Sequence, residues 1–322
     1  MPKTPAFAEI LRLLEQSERA LSPRSLKAFS DINRENLSAL QHAWPKLPTQ
    51  RKYYLLEALL ERFDEEAGLS FDALAEWALN DSDSGVRYRA MDLLTESENT
   101  ALIKRLIALG ASDPDENVRV RAASLLGNFV LLGELEEISS SHSLQAEEAL
   151  FTMRQEGTPA AQRAALEALG ASSNLIVTDL ISDALQKTDP QWLVSAMRAI
   201  GRSANQDWEE AVIECLDFPN NDIRHAAVQA AGSLGLKSAR QPLLAMLEDP
   251  EDVDDETLAA AVWSLSEIGG EDVRETLVQL YDSAEESGNE DAAEFLEEAL
   301  ENLDFTEDAD NFGLFDIQPE DD

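Results

Sequence analysis

The strongest constraint on this chain is a short theme that recurs six times: Val86-Arg87-Tyr88-Arg89-Ala90, Val118-Arg119-Val120-Arg121-Ala122, Ala161-Gln162-Arg163-Ala164-Ala165, Trp192-Leu193-Val194-Ser195-Ala196, Ile223-Arg224-His225-Ala226-Ala227 and Thr257-Leu258-Ala259-Ala260-Ala261. The second residues stand at 87, 119, 162, 193, 224 and 258, at intervals of 32, 43, 31, 31 and 34 residues. A unit of that size is one helical hairpin, which cannot bury its apolar face alone and must stack on its neighbours. The long interval absorbs 129–143, which reads as an extra turn and a longer loop. No segment alternates with period two, so an all-α chain without sheet is expected.

Taking that second residue as position zero, position +3 is Ala in all six copies and +8 is Gly in four (Gly127, Gly170, Gly201, Gly232). Positions +4 and +7 are apolar throughout, from Met91 and Leu94 to Val262 and Leu265. Together +3, +4 and +7 form a helix stripe that faces a core. Small residues at +8 allow close helix approach, and Gly just past the last apolar residue predicts a helix stop. Each such helix follows another amphipathic one across a turn such as Asn80-Asp81-Ser82-Asp83 or Pro219-Asn220-Asn221-Asp222, whose Asp and Asn suit helix caps.

Charge excludes several classes of function. Across 322 residues the net charge is −39, a poor match for nucleic acid, and 44% hydrophobic residues are too many for general disorder. The acidity is local. Residues 1–50 hold seven bases and five acids, whereas 248–322 hold 28 acids and one base, Arg274. That end reads as solvated and acidic. Cys215 is the single cysteine, so no intrachain disulfide can form. No stretch longer than 12 residues lacks a charge, against about 20 apolar residues for a membrane span. A soluble, cytoplasmic protein is expected.

Asp113-Pro114 followed by Val118-Arg119, Ala122 and Leu126-Gly127 resembles the HEAT repeat, in particular the short form named for phycobilisome-lyase-like proteins. The resemblance covers roughly residues 70 to 285. The stretch with Leu37, Trp44-Pro45, Leu47-Pro48, Arg51 and Phe71 is similar to the head of a group of bacterial HEAT-repeat proteins. The resemblance implies a right-handed α-solenoid of helical hairpins with capping helices. Gln162, Leu193 and Leu258 depart from the pattern, which has Arg there, and interrupt any continuous Arg-Asp ladder. The expected organisation is an N-terminal cap over 1–66 made of three helices (about 5–20, 35–43 and 50–66), a repeat array over 67–286, a closing helix over 287–303 and an acidic tail over 304–322.

Residue types and their spacing point to no site for chemistry. His42, His142 and His225 are scattered and no Cys cluster exists, so no metal site is expected. The acidic run from Asp113 begins like a calcium loop but has Val118 and Ser124 where Gly and an acid are needed. Neither a phosphate-binding Gly loop nor a nucleophile elbow is present. Cys215 reads as a small core residue, His225 as packing or surface, and Trp44, Trp77, Trp192 and Trp208 as core. No catalytic residue and no cofactor are expected.

One surface stands out. With +3, +4 and +7 buried, +1, +2 and +5 lie on the opposite face, which lines the concave side of a HEAT solenoid. The candidate partner-binding residues there are Tyr88, Arg89, Arg121, Arg163, Arg198, His225 and Trp263, with Arg87, Arg119 and Arg224 on the border. Trp263 replaces polar residues at +5 and is the best exposed aromatic anchor. The competing reading is that these Arg neutralise Asp and Glu of neighbouring repeats. On the same assignment Ser195 and Ala226, at +2, should tolerate Leu, whereas Ala196 and Ala227 should not.

Three functions fit the groove. The first is a non-catalytic protein-binding scaffold that takes an extended or helical segment of another protein. The second is an accessory subunit resembling a phycobilin lyase, with Arg on tetrapyrrole propionates. The third, a nucleic-acid enzyme of the HEAT-like glycosylase type, is opposed by the charge. Phe305, Phe312, Phe315 and Ile317 are interleaved with acids in 304–322. This tail either solubilises the chain, binds a partner, or occupies the basic part of its own groove as a tethered competitor.

Overall fold

Short Asp and Asn side chains set where the repeated helices begin. In the computed structural model, which describes residues 6–16, 20–250 and 253–311, Asp83 accepts from the Val86 N–H at 3.1 Å, Asn220 from Ile223 at 3.1 Å and Asp254 from Thr257 at 2.9 Å. Asp115 and Asp189 accept from the N–H two residues on, at Asn117 and Gln191. Each supplies a partner to an N–H that has none inside its helix.

The chain divides into two units, residues 1–168 and 169–322. The first holds α1 (Phe7–Gln16), α2 (Pro23–Leu26), α3 (Arg34–Ala43) and α4 (Thr49–Glu65), then the hairpins α5 (Asp72–Ala78) with α6 (Ser84–Asp92) and α7 (Leu102–Ser112) with α8 (Glu116–Glu134), and then α9 (Ser140–Glu156) and α10 (Pro159–Leu169). The second holds α11 (Leu175–Leu185) with α12 (Pro190–Arg202), α13 (Glu209–Leu216) with α14 (Asn221–Ser233), α15 (Arg240–Glu248) with α16 (Asp255–Ile268), and α17 (Glu271–Ser287) with α18 (Glu290–Asn311). Among the described residues there is no strand, and no helix is long and apolar enough to cross a membrane.

Within each unit the second helices of the hairpins stack side by side. α4 packs on α6 and α6 on α8 in the first unit; α12 packs on α14, α14 on α16 and α16 on α18 in the second. The core is the stripe expected from the repeat. All six +3 alanines have no exposed surface, and no +4 or +7 side chain exceeds 6% exposure.

Three expectations are corrected. The +8 glycines are sites of close approach, but three of them do not stop their helices: α8 runs seven residues past Gly127, and Gly201 and Gly232 lie inside α12 and α14. A Cβ on Gly127 would lie 2.9 Å from the Ala168 Cα, so a glycine is needed there for contact, not for termination. The N-terminal cap contains an additional short helix, α2, whose N-cap is Ser22. The closing helix continues through 304–311, the first part of the expected tail. The physical reason is Arg274 of α17, which donates to Asp304 at 2.6 Å and to Glu307 at 2.6 Å, while Leu303 and Ala309 are buried.

The cap is tied to the first hairpin through Asp81. Its Oδ2 accepts from the Trp44 Nε1–H and from Lys52 Nζ, both at 2.6 Å. Trp44 is buried and meets Trp77 edge to face at 5.3 Å. Trp77, Trp192 and Trp208, expected in the core, are only half-buried. Cys215 is buried, as expected of a core residue, and burial together with Glu214 pushes its thiol pKa up.

Candidate functional site

The arginines at position zero share one conformation that explains their recurrence. Each folds back onto the turn ahead of its own helix: Arg87 donates to the carbonyls of Asp81 and Ser82, Arg119 to those of Asp113 and Pro114, and Arg224 to that of Phe218. Arg87 also grips the Asp113 carboxylate with two hydrogen bonds of 2.8 and 2.6 Å, a rung between successive turns. These arginines hold the turns together.

On the exposed face of the first unit, side chains from α4, α6 and α8 form a charged row. Arg89 Nε donates to Glu57 at 2.6 Å, and its guanidinium lies 4.1 Å over the Tyr53 ring. Arg121 sits 2.9 Å from Asp92 and donates to Thr95 at 2.8 Å. Burial pushes the Asp92 carboxyl up, and Arg121 opposes that rise. Beside the row lies a notch of about 230 Å³ formed by Leu56, Leu60 and Tyr88, with Tyr88 exposed. α8 continues past the ordinary repeat length to an exposed Leu131, and Leu135, just beyond its end, is exposed as well. The competing reading of the groove arginines therefore describes Arg89 and Arg121, which hold acids of neighbouring helices. Arg163 is half-buried on α10.

In the second unit the face is less open than the repeat register implies. Ser195 and Ala226 are 2% and 1% exposed, and Val194 is also buried. The expectation that position +2 faces outward is wrong there, because the Gly and Ala positions bring α12 and α14 so close that +2 is covered. Gly201 shows how close: a Cβ there would lie 3.2 Å from the Ala230 Cα of α14, and on the other side of α14 the Ser264 hydroxyl of α16 donates to the Val228 carbonyl at 2.9 Å. Arg198 and Gln229 remain exposed. His225 is half-buried, with Nδ1 3.5 Å from the Thr257 hydroxyl and Nε2 3.9 Å from Glu256.

Trp263 is 39% exposed on α16. One turn further, Glu267 has its carboxyl pKa pushed up by burial, partly opposed by a hydrogen bond with Trp263. Glu267 lines a cleft of about 760 Å³ whose wall includes Leu234, Leu236, Asn302 and Phe305. Phe305, expected in a tail, stands on α18 at 69% exposure. Phe312, Phe315 and Ile317 lie outside the described residues. Sequence reasoning missed this cleft. The signal available was the pair of helix ends, Gly232-Ser233-Leu234-Gly235 and Glu267-Ile268-Gly269-Gly270, where Gly235 and Gly269 take positive φ. Among the described residues no cluster of His, Cys, Asp and Glu has the arrangement of a metal site.

Stacked helical hairpins with a repeated Ala-apolar stripe, capped by Asp and Asn and tied by Arg to their turns, define a tandem α-helical repeat protein. The family model for HEAT repeats matches residues 177–255, so this stretch of the second unit consists of HEAT repeats. Among curated proteins none matches its sequence. Similar solved structures include an engineered protein at 15% identity, covering 94% of this chain and 92% of that one with a TM-score of 0.36. Human deoxyhypusine hydroxylase in complex with glycerol is 15% identical, with 81% and 95% of the chains covered and a TM-score of 0.35. A designed armadillo repeat protein is 16% identical, with 71% and 100% covered and a TM-score of 0.32.

Proposed function

We propose that the protein is a non-catalytic scaffold that binds segments of another protein on the exposed face of the stacked second helices within each unit. The observation that carries this reading is the pair of exposed aromatics on such faces: Tyr88, which lines a notch, and Trp263, which is hydrogen-bonded to Glu267 of a cleft wall. Tyr and Trp presented in this way are the side chains that dominate interface energies. The arginines that would meet a tetrapyrrole's propionates, Arg89 and Arg121, already hold Glu57 and Asp92, which favours a protein partner over a bilin.

The test is affinity capture from the source cell with the full chain and two sets of variants. Tyr88→Ala and Trp263→Ala remove groove anchors; Ile176→Ala and Val278→Ala remove exposed apolar side chains from first helices of hairpins. Partners lost with the first set and retained with the second support the reading. Partners lost only with the second set assign binding to the other face and end it.

A further inference from the structure

The cleft beside Trp263 has a chemistry of its own. Its apolar floor is Leu234, Leu236 and Ile268, and its rim is Phe305, which the fold leaves in water. A volume of about 760 Å³ accommodates one or two side chains of a bound segment. The carbonyl ends of α14 and α16 terminate at the cleft, and helix C-termini carry partial negative charge. Glu209 and Glu267 line it, against one base, Lys237.

The approach to the cleft is acidic as well. Glu294, Glu297 and Glu301 are exposed on α18 at helical spacing, in a row that ends at Phe305. Arg274, the one base in 248–322, is occupied by Asp304 and Glu307. The chain's own last segment, 312–322, has the wrong sign for this surface: it carries Asp316, Glu320, Asp321 and Asp322 and no base.

We propose that this cleft docks a basic segment of another protein, placing an apolar side chain against Phe305 and Leu236 while its Lys or Arg side chains meet Glu267, Glu209 and the acidic row of α18. The inference rests on the scaffold reading and adds the partner's chemistry. Burial of Glu267 fits the role, since a carboxylate whose pKa burial pushes up gains most from an arriving counter-ion.

The test titrates the full chain into fluorescein-labelled peptides and follows anisotropy. The probes are a 12-residue peptide of Lys-Leu-Leu-Lys repeats, its Lys-Ser-Ser-Lys counterpart and its Glu-Leu-Leu-Glu counterpart. The Lys-Leu peptide should bind, the Lys-Ser peptide about tenfold more weakly, and the Glu-Leu peptide not at all. Phe305→Ala, which leaves the net charge unchanged and removes an exposed side chain, should weaken the Lys-Leu peptide about tenfold. Glu267→Gln should weaken it more than Glu275→Gln, a control for loss of one charge from α17, and Tyr88→Ala should leave it unchanged. Equal binding of the Lys-Leu and Lys-Ser peptides, or wild-type affinity in Phe305→Ala, would reduce the effect to bulk charge and overturn the proposal. A rise in affinity on deleting 312–322 would assign the cleft to the chain's own end and overturn it too. Capture of partners that needs Tyr88 and Trp263 but not Phe305 or Glu267 would remove this inference while leaving the scaffold reading in place.

Discussion

Arg87 and Asp113 are buried together, 26 residues apart in sequence and joined by two hydrogen bonds. Asp113 also accepts from the Asp115 N–H, so the same carboxylate shapes the turn that starts α8. Arg87→Ala should destabilise by about 3–5 kcal/mol, because it leaves a buried carboxylate without its counter-ion. Arg87→Met with Asp113→Leu should recover much of that loss, since an apolar pair does not carry the desolvation cost. Urea unfolding of the single and double variants measures both; a double variant no better than the single one would show that the turn hydrogen bonds, and not the ion pair, carry the stability.

Asp81 links stability to pH. Burial alone would push its carboxyl up, but hydrogen bonds from Lys52, the Asp83 N–H and Trp44 outweigh that and hold it below its ordinary value. A carboxyl lowered by folding contributes stability above its unfolded pKa of about 4, and that contribution is lost as pH falls through the folded value. Asp254, lowered chiefly by its bond from the Thr257 N–H, acts with the same sign. Thermal melts between pH 7 and 3 should show the midpoint falling below pH 4. Asp81→Asn should melt lower at pH 7 and show a shallower acid slope.

Glu267 has the opposite sign. Its folded pKa is raised, so its contribution favours the folded state below the unfolded pKa and is lost as pH rises. Glu267→Gln should therefore melt no lower than the wild type at pH 7, and the two should converge near pH 4. A lower midpoint at pH 7 would show that the carboxylate charge stabilises the cleft.

Helix packing yields a direct comparison. Ala227 and Ala226 are both buried on α14, whereas Gln229 is exposed on the same helix. Ala227→Leu and Ala226→Leu should each overpack and cost about 1–3 kcal/mol, and Gln229→Leu should change stability little. Chemical denaturation of the three variants decides whether the stack covers position +2.

The repeat was legible because Ala at +3 and apolar residues at +4 and +7 report burial by their chemistry and spacing. Ser195 and Ala226 were not, since small side chains sit equally well in water or in a helix crossing, and only the distance between α12 and α14 determines which. Ser22 and Pro23 mark the start of α2, but four residues are too few to show a period. The exposure of Tyr88 and Trp263, the proposed anchors, was readable from their place at positions of the repeat that lie opposite the buried stripe. The cleft was hidden because Glu209, Leu236, Glu267 and Phe305 come from four separate segments and share no spacing.

The end of α18 depends on a contact that spans 30 residues. Its last turns are rich in acids, whose repulsion opposes helix formation, yet Arg274 lies against Asp304 and Glu307 at 2.6 Å each and offsets two of those charges. The contact is partly exposed, so its worth is that of a small surface network, about 1 kcal/mol or less. That is enough to matter at a helix terminus, where opening free energies start near zero. Arg274→Ala should leave global unfolding almost unchanged and speed amide exchange about threefold to fivefold in 304–311, while exchange in 290–300 stays as in the wild type. About 0.5 M salt should produce part of the same effect in the wild type, because the Debye length is then well under 10 Å. Unchanged exchange in 304–311 would mean that burial of Leu303 and Ala309 holds the terminus by itself, and that Phe305 is positioned by packing and not by charge.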